Sequence, residues 1–388
     1  MSDLGQIVAE EIRRLGPMTV ARFMELALYH PQHGYYSSGI PRTGWEGHFV
    51  TSPELDRGFG ELWCHAFDRI WEDCERPESF EVVEIGPGEG SFAASVLAAA
   101  RPAFRAALTY RLIEPVDELR SRQRALLQDF PEARWSRSLG GLSPVQGCVF
   151  ANEVLDNQPV HLLERRNGRT SELRVVERGE ALSLASGPPS AAARRWLAQG
   201  RPGPAEGELI EAPLAAEGLV RAAAGVVRRG AVVLVDYGME AHALAARAQG
   251  TLLSYSSAGA DDSFLLEPGA RDITSHVNWT VIRSRLRECG LTPVGPLSQR
   301  EVLHGLGAGE LAARLEDEAH RAGGAAHVRA LSRRQAVAAL LDPGGLGGLG
   351  VMAGTRDVRP PWRGPPPSTR RAERGPNAPG AGDRQPRA

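Results

Sequence analysis

Three groups of residues have types and spacings that could do chemistry. The first is Glu84-Ile85-Gly86-Pro87-Gly88-Glu89-Gly90, a glycine turn directly after the apolar run Phe80–Ile85. Gly86 allows a sharp exit from a strand, and Gly88 and Gly90 remove side chains where a ligand would back onto the main chain. A helix opening after such a turn aims its free amides and the positive end of its dipole at that ligand. The second is Glu114, which ends the next apolar run 24 residues after Gly90. A carboxylate there can accept both hydroxyls of a ribose. The third is Asn152, Glu153 and Asp156, three polar acceptors after the run Cys148-Val149-Phe150-Ala151. Carboxylates so placed can hold a guanidinium or amine in a fork and accept its proton, the alternative being a helix cap.

Other chemistries are excluded or set behind this one. All 45 basic residues are Arg, so neither a Walker A phosphate loop nor an internal Schiff-base amine can exist. The turn reads Gly-x-Gly-x-Gly, not the Gly-x-Gly-x-x-Gly of dinucleotide sites. A negative Glu84 beside it suits a ligand with a cationic amine and a sulfonium better than a pyrophosphate. The four cysteines, Cys64, Cys74, Cys148 and Cys289, show no paired spacing, and no His-Glu-x-x-His or Gly-x-Ser-x-Gly occurs; no metal is expected. His276, near a helix start, reads as structural.

The elements that must position these groups alternate. Phe80–Ile85, Tyr110 to Glu114, Cys148 to Ala151 and Ala231 to Asp236 are short apolar strands, with helical stretches after the glycine turn and over 116–128. That alternation predicts a mostly parallel sheet covered on both faces, an α/β Rossmann-like fold. Residues 1–30 predict two short helices, and Thr51-Ser52-Pro53-Glu54 opens another that carries Phe59, Leu62, Trp63, Phe67, Ile70 and Trp71. Between 157 and 225 the alternation lapses, with Asn167-Gly168 as a hairpin turn. We therefore expect a helical extension covering the ligand site over 1–78, a core over 79–160 and 226–355, an inserted mixed α/β subdomain over 161–225, and a disordered tail over 356–388. The tail holds eight Pro and eight Arg against three acidic residues. A net charge of -2 draws the chain neither to nucleic acid nor to an anionic membrane. Without an apolar leader or a span of ~20 apolar residues, a cytoplasmic protein is expected.

With these segments in view, the chain resembles the MidA-type class I methyltransferases. The matching residues are Phe23-Met24-Glu25-Leu26-Ala27-Leu28-Tyr29-His30-Pro31, Gly34-Tyr35-Tyr36, Phe49-Val50-Thr51-Ser52-Pro53-Glu54, the glycine turn, Glu114-Pro115, Ala151-Asn152-Glu153, Asp156, Asp236-Tyr237-Gly238 and Asp272-Ile273-Thr274. The resemblance spans roughly residues 5–354 and departs on the substrate side, at Ser256-Ser257-Ala258-Gly259, Asn278-Trp279 and Gly344-Gly345-Leu346-Gly347. It implies S-adenosyl-L-methionine as cofactor, held by Glu84, Gly86, Pro87, Gly88, Gly90 and Glu114, with Thr51, Ser52 and Pro53 packed near it and Trp135 over the adenine. It places Asn152, Glu153 and Asp156 at the reacting centre. One member of that family methylates an arginine of a respiratory complex I subunit, which implies a protein acceptor here; a homodimer stays open. A small-molecule methyltransferase and a non-catalytic scaffold keeping the fold are the other readings.

Overall fold

A computed structural model describes residues 2–37, 52–247, 249–256 and 259–362. Its centre is a seven-stranded sheet built from β1 (Phe80–Ile85), β2 (Leu108–Ile113), β3 (Ala133–Ser136), β4 (Val145–Asn152), β5 (Val227–Asp236), β6 (Thr292–Ser298) and β7 (Gly350–Arg356). Their order across the sheet is β6-β7-β5-β4-β1-β2-β3. Pairing is parallel from β5 to β3, and β7 runs antiparallel to both β5 and β6. The mostly parallel sheet expected from the alternation is therefore present, with one reversed strand.

The central strands are apolar throughout because helices bury both faces. On one side the helices Gly58–Asp73 and Ser91–Ala99 bring Trp63, Phe67 and Phe92 onto Phe150 of β4, with the Phe92 and Phe150 rings stacked at 4.7 Å. On the other, the helices Leu214–Val226 and Trp279–Glu288 cover Val149, Val232 and Leu234. Register puts Ile85 opposite both Ile113 and Ala151, and Asn152 opposite Val235. The carboxyl ends of β1, β2, β4 and β5 thus share one edge, where an open α/β sheet binds ligands.

A second layer is built from the insertion and the N-terminus together. Strands His161–Arg166, Arg169–Arg178, Ala181–Gly187 and Leu209–Ala212 form a five-stranded sheet with Met18–Thr19. The Asn167-Gly168 hairpin is as expected, both residues having positive φ. Helices Asp3–Leu15 and Val20–Tyr29 pack Leu4, Val8, Phe23 and Leu28 against Val160, Leu162, Val175 and Ile273.

Three expected boundaries shift. The helix expected from Thr51 is two pieces, Ser52–Leu55 and Gly58–Asp73, because Asp56 turns its side chain onto the Gly58 N–H at 2.6 Å. The insertion ends before Leu214, since the next helix buries Ala216, Val220 and Ala223 on the central sheet. Residues 356–362, counted with the tail, are structured: Arg356 lies in β7, Arg359 pairs with Asp73, and Trp362 is buried. Residues 363–388 of that expectation lie outside the described residues. Among the described residues no helix is long and apolar enough to cross a membrane.

Candidate active site

At the shared carboxyl edge lies a cavity walled by the glycine turn, by Asn152, Glu153, Asp156 and Asn157 after β4, and by Tyr237 after β5. Tyr36, Pro53 and Glu54 close it from the N-terminal side, and Tyr255, Asp272, Thr274, Ser275 and His276 from the far side. Glu54, Glu84, Glu89, Glu153, Asp156 and Asp272 all line it, and no arginine is among the described lining residues.

In the turn, Gly86 and Gly88 have φ +66 and +52, the left-handed region that favours glycine. A Cβ on Gly86 would strike Val154 at 2.8 Å, whereas one on Gly88 would meet nothing within 4 Å. Gly88 therefore bares backbone to the cavity, as expected. Gly90 does not: its Cβ position faces Gln123 at 3.2 Å, and its left-handed backbone caps the Ser91–Ala99 helix. Pro87 lines the cavity, and its carbonyl accepts the Gly90 N–H at 2.8 Å.

Gln123 went unnoticed in the sequence. Fully buried on the helix Asp117–Leu126, it donates to the Gly88 carbonyl at 2.7 Å and accepts the Trp135 indole N–H at 3.0 Å. Trp135, expected over the adenine, is not among the residues lining the cavity and props the residue that holds the turn. Only the family resemblance had pointed it to the ligand. Glu114 ends β2 as expected and is buried; its Oε1 accepts the Val116 N–H at 2.8 Å, and it stands behind the cavity wall. Burial pushes its carboxyl up from the ordinary range.

Glu84 lines the cavity and accepts the Tyr110 hydroxyl at 2.8 Å. Burial outweighs that bond and raises its carboxyl to about 8, so it holds a proton at neutral pH until a cation approaches. Ser52 is fully buried and bonds with Gln299, while its N–H reaches Glu153 at 3.4 Å. Pro53 lines the cavity, and Thr51 lies outside the described residues.

The loop after β4 carries the charge. Asp236, closing β5, accepts the N–H groups of Val154, Leu155 and Asp156 at 3.1, 2.7 and 3.3 Å and that of Tyr237 at 2.8 Å. This staple fixes the loop's shape, a role that residue types alone did not disclose. Glu153 sits at φ +52, a costly backbone for a non-glycine residue. Burial, then the Asp236 charge, raises its carboxyl to about 7, against the Asn152 amide that donates to it at 3.0 Å. Asp156 is pushed well above the usual range by burial and by the charges of Asp236, Asp272 and Glu153. Its Oδ1 and the Asn152 Oδ1 are buried without a hydrogen-bond partner. Buried acceptors are nearly always satisfied, and both residues line the cavity.

Across the cavity Asp272 accepts the Tyr36 hydroxyl at 2.9 Å, the Asn157 amide at 3.0 Å and the Ile273 N–H at 2.9 Å. Burial still raises it to about 6. The sequence offered Asp272 and Tyr36 as parts of matching runs but assigned them no role. The His276 ring lines the cavity too, and burial keeps it neutral by lowering its pKa. No group of acids, His and Cys among the described residues could hold a metal ion.

A parallel sheet with one reversed strand, a bared glycine turn after β1 and an acid after β2 define a nucleoside-cofactor enzyme of the Rossmann-like methyltransferase class. The chain belongs to the family described as "Putative S-adenosyl-L-methionine-dependent methyltransferase", whose model matches residues 63–297. A protein of Burkholderia thailandensis, crystallised with S-adenosyl-homocysteine, superposes with a TM-score of 0.80 at 28% identity over 92% of each chain. A native crystal structure of an uncharacterized protein from the same organism gives 0.79 at 27% identity, over 93% of this chain and 94% of that one. The protein arginine methyltransferase NDUFAF7 homolog, mitochondrial, of Drosophila melanogaster is 26% identical over 72% of this chain and 69% of its own length. Human protein arginine methyltransferase NDUFAF7, mitochondrial, is 24% identical over 76% and 71%. The protein is an S-adenosyl-L-methionine-dependent methyltransferase. Its residues fit that cofactor: bare backbone at Gly88 and an acidic wall suit a ligand that is neutral at its ribose and cationic at its amine and sulfonium.

Proposed function

We propose that this methyltransferase acts on the guanidinium group of arginine in a protein. The observation that carries the reading is the acidic well itself, with Asp156 Oδ1 and Asn152 Oδ1 buried, unpartnered and beside a cavity free of arginine among its described residues. A guanidinium offers five N–H donors in a planar fork and one delocalised charge, which answers both the empty acceptors and the unbalanced carboxylates. The names of the fly and human relatives support the same acceptor.

Gly86, Pro87, Gly88 and Glu84 would hold the cofactor, with Pro53 beside it. The cofactor supplies an electrophilic methyl group on a sulfonium. The rest falls to the chain. Glu153 and Asp156 orient the guanidinium so that one nitrogen faces the methyl, and Glu153, poised near 7, takes up the proton that this nitrogen loses. Tyr36, held by Asp272, walls the well against water. We also propose a reducing compartment, the cytoplasm, because all four cysteines are free; the relatives are named mitochondrial. Incubation with the cofactor and arginine-containing peptides should yield methylarginine by mass spectrometry, and lysine in place of arginine should yield nothing. Binding of S-adenosyl-homocysteine without any transfer to arginine would overturn the reading.

A further inference from the structure

We propose that arginines within residues 363–388 of this same chain are acceptors for the site, so that the enzyme methylates its own C-terminal segment. The inference rests on the arginine reading above and goes beyond it by naming an acceptor.

The well is built, not merely acidic. Asp156, only 6% exposed, lines the cavity and carries an Oδ1 without a hydrogen-bond partner, as does Asn152 beside it. Asp272 faces it from the opposite wall. Buried carboxylates without a counter-cation are costly, and an entering guanidinium offsets that cost.

The segment supplies the complement. Residues 363–388 hold six arginines, Arg363, Arg370, Arg371, Arg374, Arg384 and Arg387, against Glu373 and Asp383. Gly364 and Gly375 follow two of them directly. The chain is anchored just before the segment. Trp362 is buried, the Pro361 carbonyl accepts from Arg69 at 3.0 Å, and Arg359 pairs with Asp73. From Trp362, 26 further residues at ~3.3 Å each reach ~85 Å. The whole 388-residue chain, if compact, has a radius of gyration of ~21 Å, so the contour of the segment spans the molecule and its later arginines are within reach of the well. Tethering holds such a segment at an effective concentration of order mM.

The step balances without any other reactant. The bond between sulfur and methyl breaks with its electron pair staying on sulfur, and a bond forms between that methyl and one guanidinium nitrogen. The nitrogen loses one proton, taken by Glu153 and passed to solvent, and S-adenosyl-homocysteine is released.

Full-length protein, incubated with the cofactor and digested, should show methylarginine in peptides from 363–388, at a rate independent of enzyme concentration. A full-length variant with all six tail arginines replaced by Gln gives a second readout that needs no cofactor. A fluorescent Gly-Arg-Gly peptide should bind it about five- to tenfold more tightly than wild type, because the tethered competitor is gone; Asp156→Asn should abolish the peptide's binding to both. The inference is overturned if external arginine peptides are methylated while 363–388 stays unmodified and peptide affinity is the same with and without the tail arginines. If no arginine is methylated anywhere, the acceptor reading falls first and takes this one with it.

Discussion

Glu153 combines the two marks of a functional residue: a strained backbone at φ +52 and a carboxyl raised to about 7. Because its folded pKa lies above the ordinary 4.5, the folded state binds its proton more tightly than the unfolded chain does. The stability this gives is full below about pH 4.5 and fades as pH rises through about 7. Glu153→Gln should therefore stabilise the cofactor-free protein by about 1–3 kcal/mol at pH 8 and leave it unchanged at pH 4.5. Denaturant melts at the two pH values would read this out, and equal shifts at both would contradict it. Turnover of the wild type should climb between about pH 6 and 8 as Glu153 ionises. The variant should lose that rise while binding S-adenosyl-homocysteine as before; a variant with an unaltered pH profile would remove Glu153 from proton transfer. Its place after an apolar strand made this residue readable in the sequence. Asp272 was not readable, because 115 positions separate it from the Asn157 it bonds, and nothing local announces that contact.

At the scale of elements, the glycine turn is only as good as what holds it. Glycines with open φ lose more freedom on ordering than other residues, so something must fix the turn before the ligand arrives. Gln123 does so from the helix after β2, tying the Gly88 carbonyl to Trp135 and packing under Gly90. Gln123→Leu keeps much of the bulk and removes both bonds. It should weaken S-adenosyl-homocysteine by about 1–2 kcal/mol, roughly five- to thirtyfold, and leave the affinity for an arginine peptide unchanged. Calorimetry with each ligand separates the two, and equal losses would mean general loosening of the fold. The strands and the turn could be read from apolar runs and glycine spacing. The break at Asp56, the return of the Leu214–Val226 helix to the core and the direction of the Trp135 indole could not. Each is decided by a tertiary partner: the Gly58 N–H, the back of the central sheet, and Gln123.

Across the whole molecule the cavity has two owners. The central sheet supplies the glycine turn and the Asn152 to Asp156 loop, whereas Tyr36 packs with the layer formed by the N-terminus and the insertion, and Asp272, which accepts its hydroxyl, precedes Ile273 of that same apolar cluster. The distance between cofactor and acceptor is therefore set by how firmly those layers dock. Their seam carries a buried ionic knot, with Glu217 at its centre on a core helix. It accepts from Arg201 of the insertion at 2.7 Å, from Arg285 of the core at 2.8 Å and from the Trp196 indole at 2.5 Å, and Arg201 also reaches Glu288 at 2.7 Å. Removing the central carboxylate leaves two arginines facing each other with one partner between them. A buried pair broken on one side typically costs about 3–5 kcal/mol, far more than an exposed pair. Glu217→Ala should thus lower the denaturation midpoint sharply. Below that midpoint it should raise the KM for an acceptor peptide while affinity for S-adenosyl-homocysteine holds, since Glu217 touches neither site and the seam positions the Tyr36 and Asp272 wall opposite Asp156 rather than the glycine turn. Were the cofactor product to weaken in step with the acceptor, the two walls would move as one and the layered account of this site would be wrong.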